Sequence, residues 1–261
     1  MSSALLVWPG AIAIGISLGL LGSGGSILTV PVLVYLLGQD EKVAIAGSLA
    51  IVGTIALIGS LPYLRDRLID PRAVVLFGVP GMIGTYAGAW LAAYVPGIAQ
   101  LALFALVMLT AAWFMLRPIP LEDGANRTPR AHWKIALDGL VVGVLTGLVG
   151  VGGGFLIVPA LVLLGGLSMH RAVATSLVII ALKSYSGFWK YLDVLHDQNL
   201  ELDWPTIGLV TALGIAGSFA GKQLASRIQQ ERLRHIFGVF LIVMGIYILA
   251  RSAPAVIALS L

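Results

Sequence analysis

The stretch Gly19-Leu-Leu-Gly22-Ser-Gly24-Gly25-Ser26-Ile-Leu-Thr-Val-Pro31 sets a string of glycines inside an apolar run that a helix would otherwise fill. Each glycine in a helix interior is unfavourable by roughly 1 kcal/mol relative to alanine, so the string marks a break. The stretch also occurs twice. Residues 15–48 align with 143–176 at a constant offset of 128 without a gap, and 16 of the 34 positions are identical. The second copy reads Gly147-Leu-Val-Gly150-Val-Gly152-Gly153-Gly154-Phe-Leu-Ile-Val-Pro159. Further on, Gly84-Thr-Tyr-Ala-Gly88 matches Gly217-Ser-Phe-Ala-Gly221. The chain is therefore two related halves, each with one broken apolar segment.

Where such a chain folds follows from its solvent. It is 59% hydrophobic and 11% charged, with a mean hydropathy of +0.99. Aqueous domains do not have this composition, and several stretches reach the ~20 apolar residues that cross a bilayer. Residues 1–21 lack a basic leader region and a small-residue cleavage site, and read as a first helix and not as a signal peptide. The net charge of +4 is spread through loops, without a basic stripe carrying interleaved aromatics, so nucleic acid is not a partner. The absence of cysteine excludes disulfides and thiolate metal sites.

Read in order, residues 4–37 are one apolar run interrupted at Gly22–Ser26, followed by helices over 43–61, ended by Pro62, over 73–94 with Pro80 inside, and over 98–116. Arg117 to Lys134 is the longest polar connector. Residues 135–166 repeat the interrupted run, and helices follow over 172–192, 205–225 and 233–250; the apolar tail 252–261 is too short to span. The division is a first membrane repeat at 1–117, a cytoplasmic linker at 118–134 and a second membrane repeat at 135–261. The two Gly-x-x-x-Gly pairs let helices approach closely in lipid; packing inside the bundle is the plain reading, and a homodimer seam the alternative.

The positive-inside rule chooses between two topologies. Eight simple crossings split the lysines and arginines nine to six, with Lys183 set aside inside its helix. If each broken run is a hairpin, twelve fall on one side and only Lys42, Lys190 and Arg251 on the other. The expected fold is thus an all-α polytopic membrane protein of two inverted repeats, each a broken-helix hairpin plus three transmembrane helices, with both termini periplasmic.

Broken backbone survives at membrane depth only where protein or a wet cavity surrounds it. Paired broken segments are a transporter's way of building a site, with half-helix N-termini aimed at an anionic group. Gly22, Gly24, Gly25, Gly150, Gly152, Gly153 and Gly154 would bare amide N–H groups there, and Ser23 and Ser26 would add hydroxyls. Ser48 and Ser176 occupy matching positions in the next helix of each half. Lys183 is the one lysine or arginine well inside an apolar helix and a functional candidate on that ground; it shares a helical face with Ser176, about 10 Å away along the axis. Its counterpart in the first half is Ile55, so the site would hold one cation. Pro31 and Pro159 either kink the return helix or mark its first turn. Asp138 is a weaker candidate for carrying protons, and His170 and Arg171 read as a solvated turn, with an anion entrance as the alternative. Trp113, Trp133, Trp189, Trp204, Tyr94 and Tyr247 lie near helix ends and read as interface anchors. No hydrolase, zincin or phosphate-loop pattern is present, so the sequence suggests neither an enzyme nor a catalytic or metal site.

The paired motif, followed by Ala-Gly-Ser48-Leu in one half and Ala-Thr175-Ser176-Leu in the other, resembles the sulfite exporter TauE/SafE family of permeases over nearly the whole chain. The resemblance implies a secondary transporter of sulfite or organosulfonates in the bacterial inner membrane, an exporter by the family's name, without a cofactor. It adds Thr175 to the candidate residues. An importer coupled to protons or sodium, or a non-transporting assembly subunit, are the alternatives. Partners reduce to a small anion and membrane lipid.

Overall fold

The structure, a computed structural model, describes residues 2–117, 132–149 and 154–259. Among them all regular structure is helical. In the first half α1 (Ser2–Leu21) stops at the glycines and α2 (Gly24–Pro31) follows, extended by a π-helical turn at Val32–Leu36. Then come α3 (Glu41–Arg65), the short α4 (Pro71–Ala73), a π-helical turn at Val74–Gly78, α5 (Val79–Ala92) and α6 (Gly97–Leu116). The second half repeats this with α7 (His132–Val149), α8 (Gly154–Pro159) and its π-helical turn Ala160–Leu164, α9 (Met169–Asp197), α10 (Trp204–Ala225) and α11 (Gln230–Leu259).

Among the described residues, seven helices are long and apolar enough to cross a membrane. One is α7, which the sequence reading makes a hairpin arm; its 18 residues reach about 27 Å, so the arm is nearly as long as the hydrocarbon is thick. Pro62 does not end its helix: α3 continues to Arg65, because a proline forfeits only its own N–H and the Asp66 N–H still closes onto Pro62 O at 3.2 Å. Pro31 and Pro159 do not open the return helix. Each closes an α segment and is followed by a π turn, in which Leu37 N–H reaches Val32 O and Gly165 N–H reaches Ala160 O, the local adjustment that re-satisfies backbone near a membrane proline. The tail is not separate, since α11 runs through it to Leu259.

The halves interlock. Helix α1 of the first packs on α10 of the second, and α7 of the second on α5 of the first, through glycines. A Cβ on Gly19 would lie 2.0 Å from Ser218 O, and on Gly147 2.1 Å from Thr85 O; one on Gly88 would lie 2.1 Å from Val144 O, and on Gly221 2.3 Å from Ile16 O. These are the same contacts in each half. Both Gly-x-x-x-Gly pairs thus serve packing within the chain. Corresponding helices also pair with each other, and run antiparallel: Gly53 of α3 faces Ser184 of α9 while Leu49 faces Gly187, and Gly238 of α11 meets Leu116 of α6 while Gly245 meets Leu109.

The basic residues gather at one end of this bundle. Lys222 pairs with Asp66 at 2.5 Å, Arg171 with Asp70 at 3.4 Å, Arg72 bonds His132, and Arg234 bonds the carbonyl of Arg117. Eight simple crossings would place Arg171, Lys222 and Arg234 opposite Arg72 and Arg117; only folded-back broken segments bring them together. At the other end Lys42 reaches the carbonyls of Ala92 and Val95. The tryptophans and tyrosines assigned to the interface are exposed on the bundle surface, Tyr94 the most at 74%.

Candidate functional site

Leu21 is the last residue of α1 because Gly22 takes φ +71°, a left-handed conformation that glycine adopts without strain. The chain then reverses. A Cβ on Gly25 would sit 2.5 Å from Ile14 O and 2.7 Å from Leu18 Cβ, and one on Gly10 3.5 Å from Val32 Cγ1. Helix α2 and its π turn therefore run back along α1, and backbone lies so close at position 25 that a side chain does not fit. The corresponding turn of the second half, with Gly150, Gly152 and Gly153, lies outside the described residues.

Ser23 occupies the N-cap position of α2, yet its side chain caps nothing. Its Oγ is fully buried without a hydrogen-bond partner. Ser26, expected as a second donor, turns its hydroxyl back to Ser23 O at 2.7 Å, where its own N–H also points at 3.1 Å. Gly24 opens α2 beside them. Across from this turn lies Gly154, the first residue of α8: a Cβ there would be 2.6 Å from Ser23 Cβ and 2.5 Å from Ile180 Cδ1. The start of one return helix thus touches the break that begins the other. Ile180 is eleven residues into the 29-residue α9, so the junction sits deep in the bundle.

Of the remaining candidates, Ser176 joins the junction and two do not. Ser176 Oγ bonds Gly22 O at 3.0 Å and Val173 O at 2.8 Å, fixing the left-handed turn. Ser48, at the matching position in α3, is fully buried. Thr175 turns away: its Oγ1 accepts the Asp70 N–H at 2.9 Å and ties the loop before α4 to α9. Lys183 is fully buried with its stem against Gly81, where a Cβ would come within 3.1 Å of Cδ and Cε, and its ammonium 5.6 Å from the Phe77 ring centroid. It faces α5, one turn past Ile180, and not the serines. The repeat supplies the reason: Ile55 packs on Gly214 as Lys183 packs on Gly81, so the lysine fills the slot that an isoleucine fills in the other half. Lys183 Nζ, Ser23 Oγ and Ser184 Oγ are the buried side-chain polar atoms without a hydrogen bond among the described residues.

Two residues were not singled out by the sequence reading. Tyr63 donates to Gly19 O at 2.8 Å and Tyr191 to Gly147 O at 3.5 Å, both buried. Tyr63 holds the last turn before the break at Gly22, and Tyr191 the last described turn of α7. Their separation is the repeat offset of 128, the signal that would have paired them. His170 is more than a solvated turn residue: its Nε2 lies 3.2 Å from Ala225 O at the end of α10, as Lys42 lies against Ala92 O at the end of α5.

A deep junction where the start of α2 meets Gly154 beside an unpartnered hydroxyl offers donors, with no carboxylate in contact among the described residues. That is an environment for an anion. The family model described as sulfite exporter TauE/SafE matches residues 7–248. The chain belongs to the TauE/SafE sulfite exporter family. Relatives of this TauE/SafE chain include a probable membrane transporter protein of Xylella fastidiosa, 30% identical over 94% of both chains. Others are probable membrane transporter proteins of Bacillus subtilis, 30% identical over 94% of this chain and 96% of that one, and of Methanocaldococcus jannaschii, 27% identical over the same shares. No solved structure matches significantly. The protein is a multi-pass membrane transporter, not an enzyme.

Proposed function

We propose that this transporter moves a small sulfur-containing anion, sulfite or an organosulfonate, held where the first glycine break meets the start of α8. The observation that carries the reading is the Ser23 hydroxyl, buried without a partner against Gly154. A buried hydroxyl left unpaired costs roughly 1–3 kcal/mol, and an oxyanion accepting from it and from the first-turn N–H groups of α2 removes that cost. Lys183, one turn along α9, adds a positive field from the side.

The antiparallel pairing of α3 with α9 and of α6 with α11 supports inverted repeats, since a two-fold axis relating antiparallel helices lies in the membrane plane. The clustering of Lys222, Arg171, Arg72 and Arg234 supports the basic end as the cytoplasmic one, with both termini periplasmic in the inner membrane. Export then runs downhill: outward movement of one negative charge gains about 2.3 kcal/mol per 100 mV of membrane potential, negative inside.

The test is thermal stabilisation of the purified protein by sulfite, sulfate, thiosulfate and small sulfonates. A rise in midpoint with one sulfur anion and not with chloride is the expected result; a flat panel contradicts the reading. Flux in vesicles under an imposed potential then gives the direction by its sign.

A further inference from the structure

A broken helix has two ends, and they carry opposite partial charge. The starts of α2 and α8 are positive, but the ends of α1 and α7 beside them are negative, and in transporters such C-terminal ends commonly coordinate a coupling cation. In this chain those ends are already covered. Gly19 O, in the last turn of α1, accepts the Tyr63 hydroxyl. In the last turn of α7, Gly147 O accepts the Tyr191 hydroxyl and Leu148 O accepts the Gln100 amide at 2.5 Å.

The second cover has a fixed direction. Lys42 is an ammonium with donors only, and its Nζ bonds Ala92 O at 2.5 Å, Val95 O at 2.7 Å and Gln100 Oε1 at 2.9 Å. That sets the Gln100 amide nitrogen toward the break, where it donates to Leu148 O and, at 3.2 Å, to Tyr191 Oη. Tyr191 is left to donate onward to Gly147 O. Every dipole from Lys42 inward thus presents its positive end to the end of α7. All of Lys42, Gln100, Tyr63 and Tyr191 are buried.

We infer that Tyr63, Tyr191 and Gln100 are selectivity residues: they mask the negative ends of the two broken helices, so that the junction favours an anion and binds no coupling sodium ion. The inference rests on the anion reading above and deepens it by making transport independent of sodium. The residues act on the substrate through the backbone they cover, and are positioning residues.

The experiment uses the full-length protein in detergent, with Tyr191→Phe and Tyr63→Phe, each removing one hydroxyl. Thermal midpoints and sulfite affinity are measured in sodium chloride and in N-methylglucamine chloride. For the wild type, both quantities are expected to be the same in the two salts. Each variant is expected to bind sulfite roughly two- to fivefold more weakly, because an uncovered negative helix end opposes the anion, and to acquire a midpoint that rises with sodium. A purely structural role lowers the midpoint equally in both salts. Sodium-dependent affinity in the wild type, or variants with unchanged affinity and no response to sodium, overturns the inference. The arms without sulfite report sodium binding separately, so failure of sulfite to bind at all counts against the anion reading while the mask is still read.

Discussion

Ser23 and Gly154, from opposite halves of the chain, are packed so closely that a Cβ on the glycine would fall 2.6 Å from the serine Cβ. The contact joins the break of one hairpin to the first residue of the other's return helix. It places an unpaired hydroxyl where two helix starts converge, and the function argued above depends on it.

The left-handed turn at Gly22 sets that contact. Gly22→Ala forces an L residue to φ +71° and puts its Cβ 2.7 Å from Ser176 Oγ and 2.8 Å from Val173 Cα. Strain of about 1–2 kcal/mol is expected from the conformation alone, with the backbone clash in addition. The variant should insert in the membrane but melt several degrees lower in detergent and lose anion stabilisation.

Lys183→Met keeps the length of the stem that packs on Gly81, in a slot where the first half carries Ile55. Expression and melting are expected to hold or improve, because an unpaired ammonium leaves a fully buried position. Binding of a dianion such as sulfite or thiosulfate should weaken severalfold, the loss of a charge that acts through its field and not through a bond. Titration of the purified variant decides; unchanged affinity removes Lys183 from the site.

Thr175 and Ser176 are neighbours with different duties. Thr175→Val deletes the acceptor of the Asp70 N–H and should cost about 1 kcal/mol of stability, read by melting, with anion affinity at the wild-type value. Loss of affinity equal to that of a junction residue would return Thr175 to the site.

The absence of cysteine makes orientation easy to measure. Single cysteines replacing Arg65, at the basic end, and Gln198, at the other, both exposed, should be labelled by an impermeant maleimide from opposite sides. Gln198→Cys should react in intact cells and Arg65→Cys only in inverted vesicles.

Much of this was legible before any coordinates. The glycine breaks and the repeat are visible as letters, because a glycine string in an apolar run has little other use. The hairpin arrangement followed from charge, since only folded-back segments put Arg171, Lys222 and Arg234 with Arg72. What sequence did not reveal depends on side-chain direction. Ser26 and Ser23 look alike in sequence, but one bonds its own turn and the other nothing. Lys183 shares a helical face with Ser176, yet the crossing of α9 over α5 carries it to Phe77. Tyr63 and Tyr191 drew no reading, because their hydroxyl bonds depend on tertiary packing. The π turns after Pro31 and Pro159 are backbone repairs that periodicity does not register.

The most direct test is equilibrium binding of sulfite to wild type and Ser23→Ala. The hydroxyl makes no hydrogen bond within the protein, so its removal should leave the melting midpoint unchanged or slightly raised. Affinity should fall roughly ten- to a hundredfold, the worth of one hydrogen bond to a charged group. Equal affinity in the two proteins would contradict the claim that the anion is held where the broken helices meet.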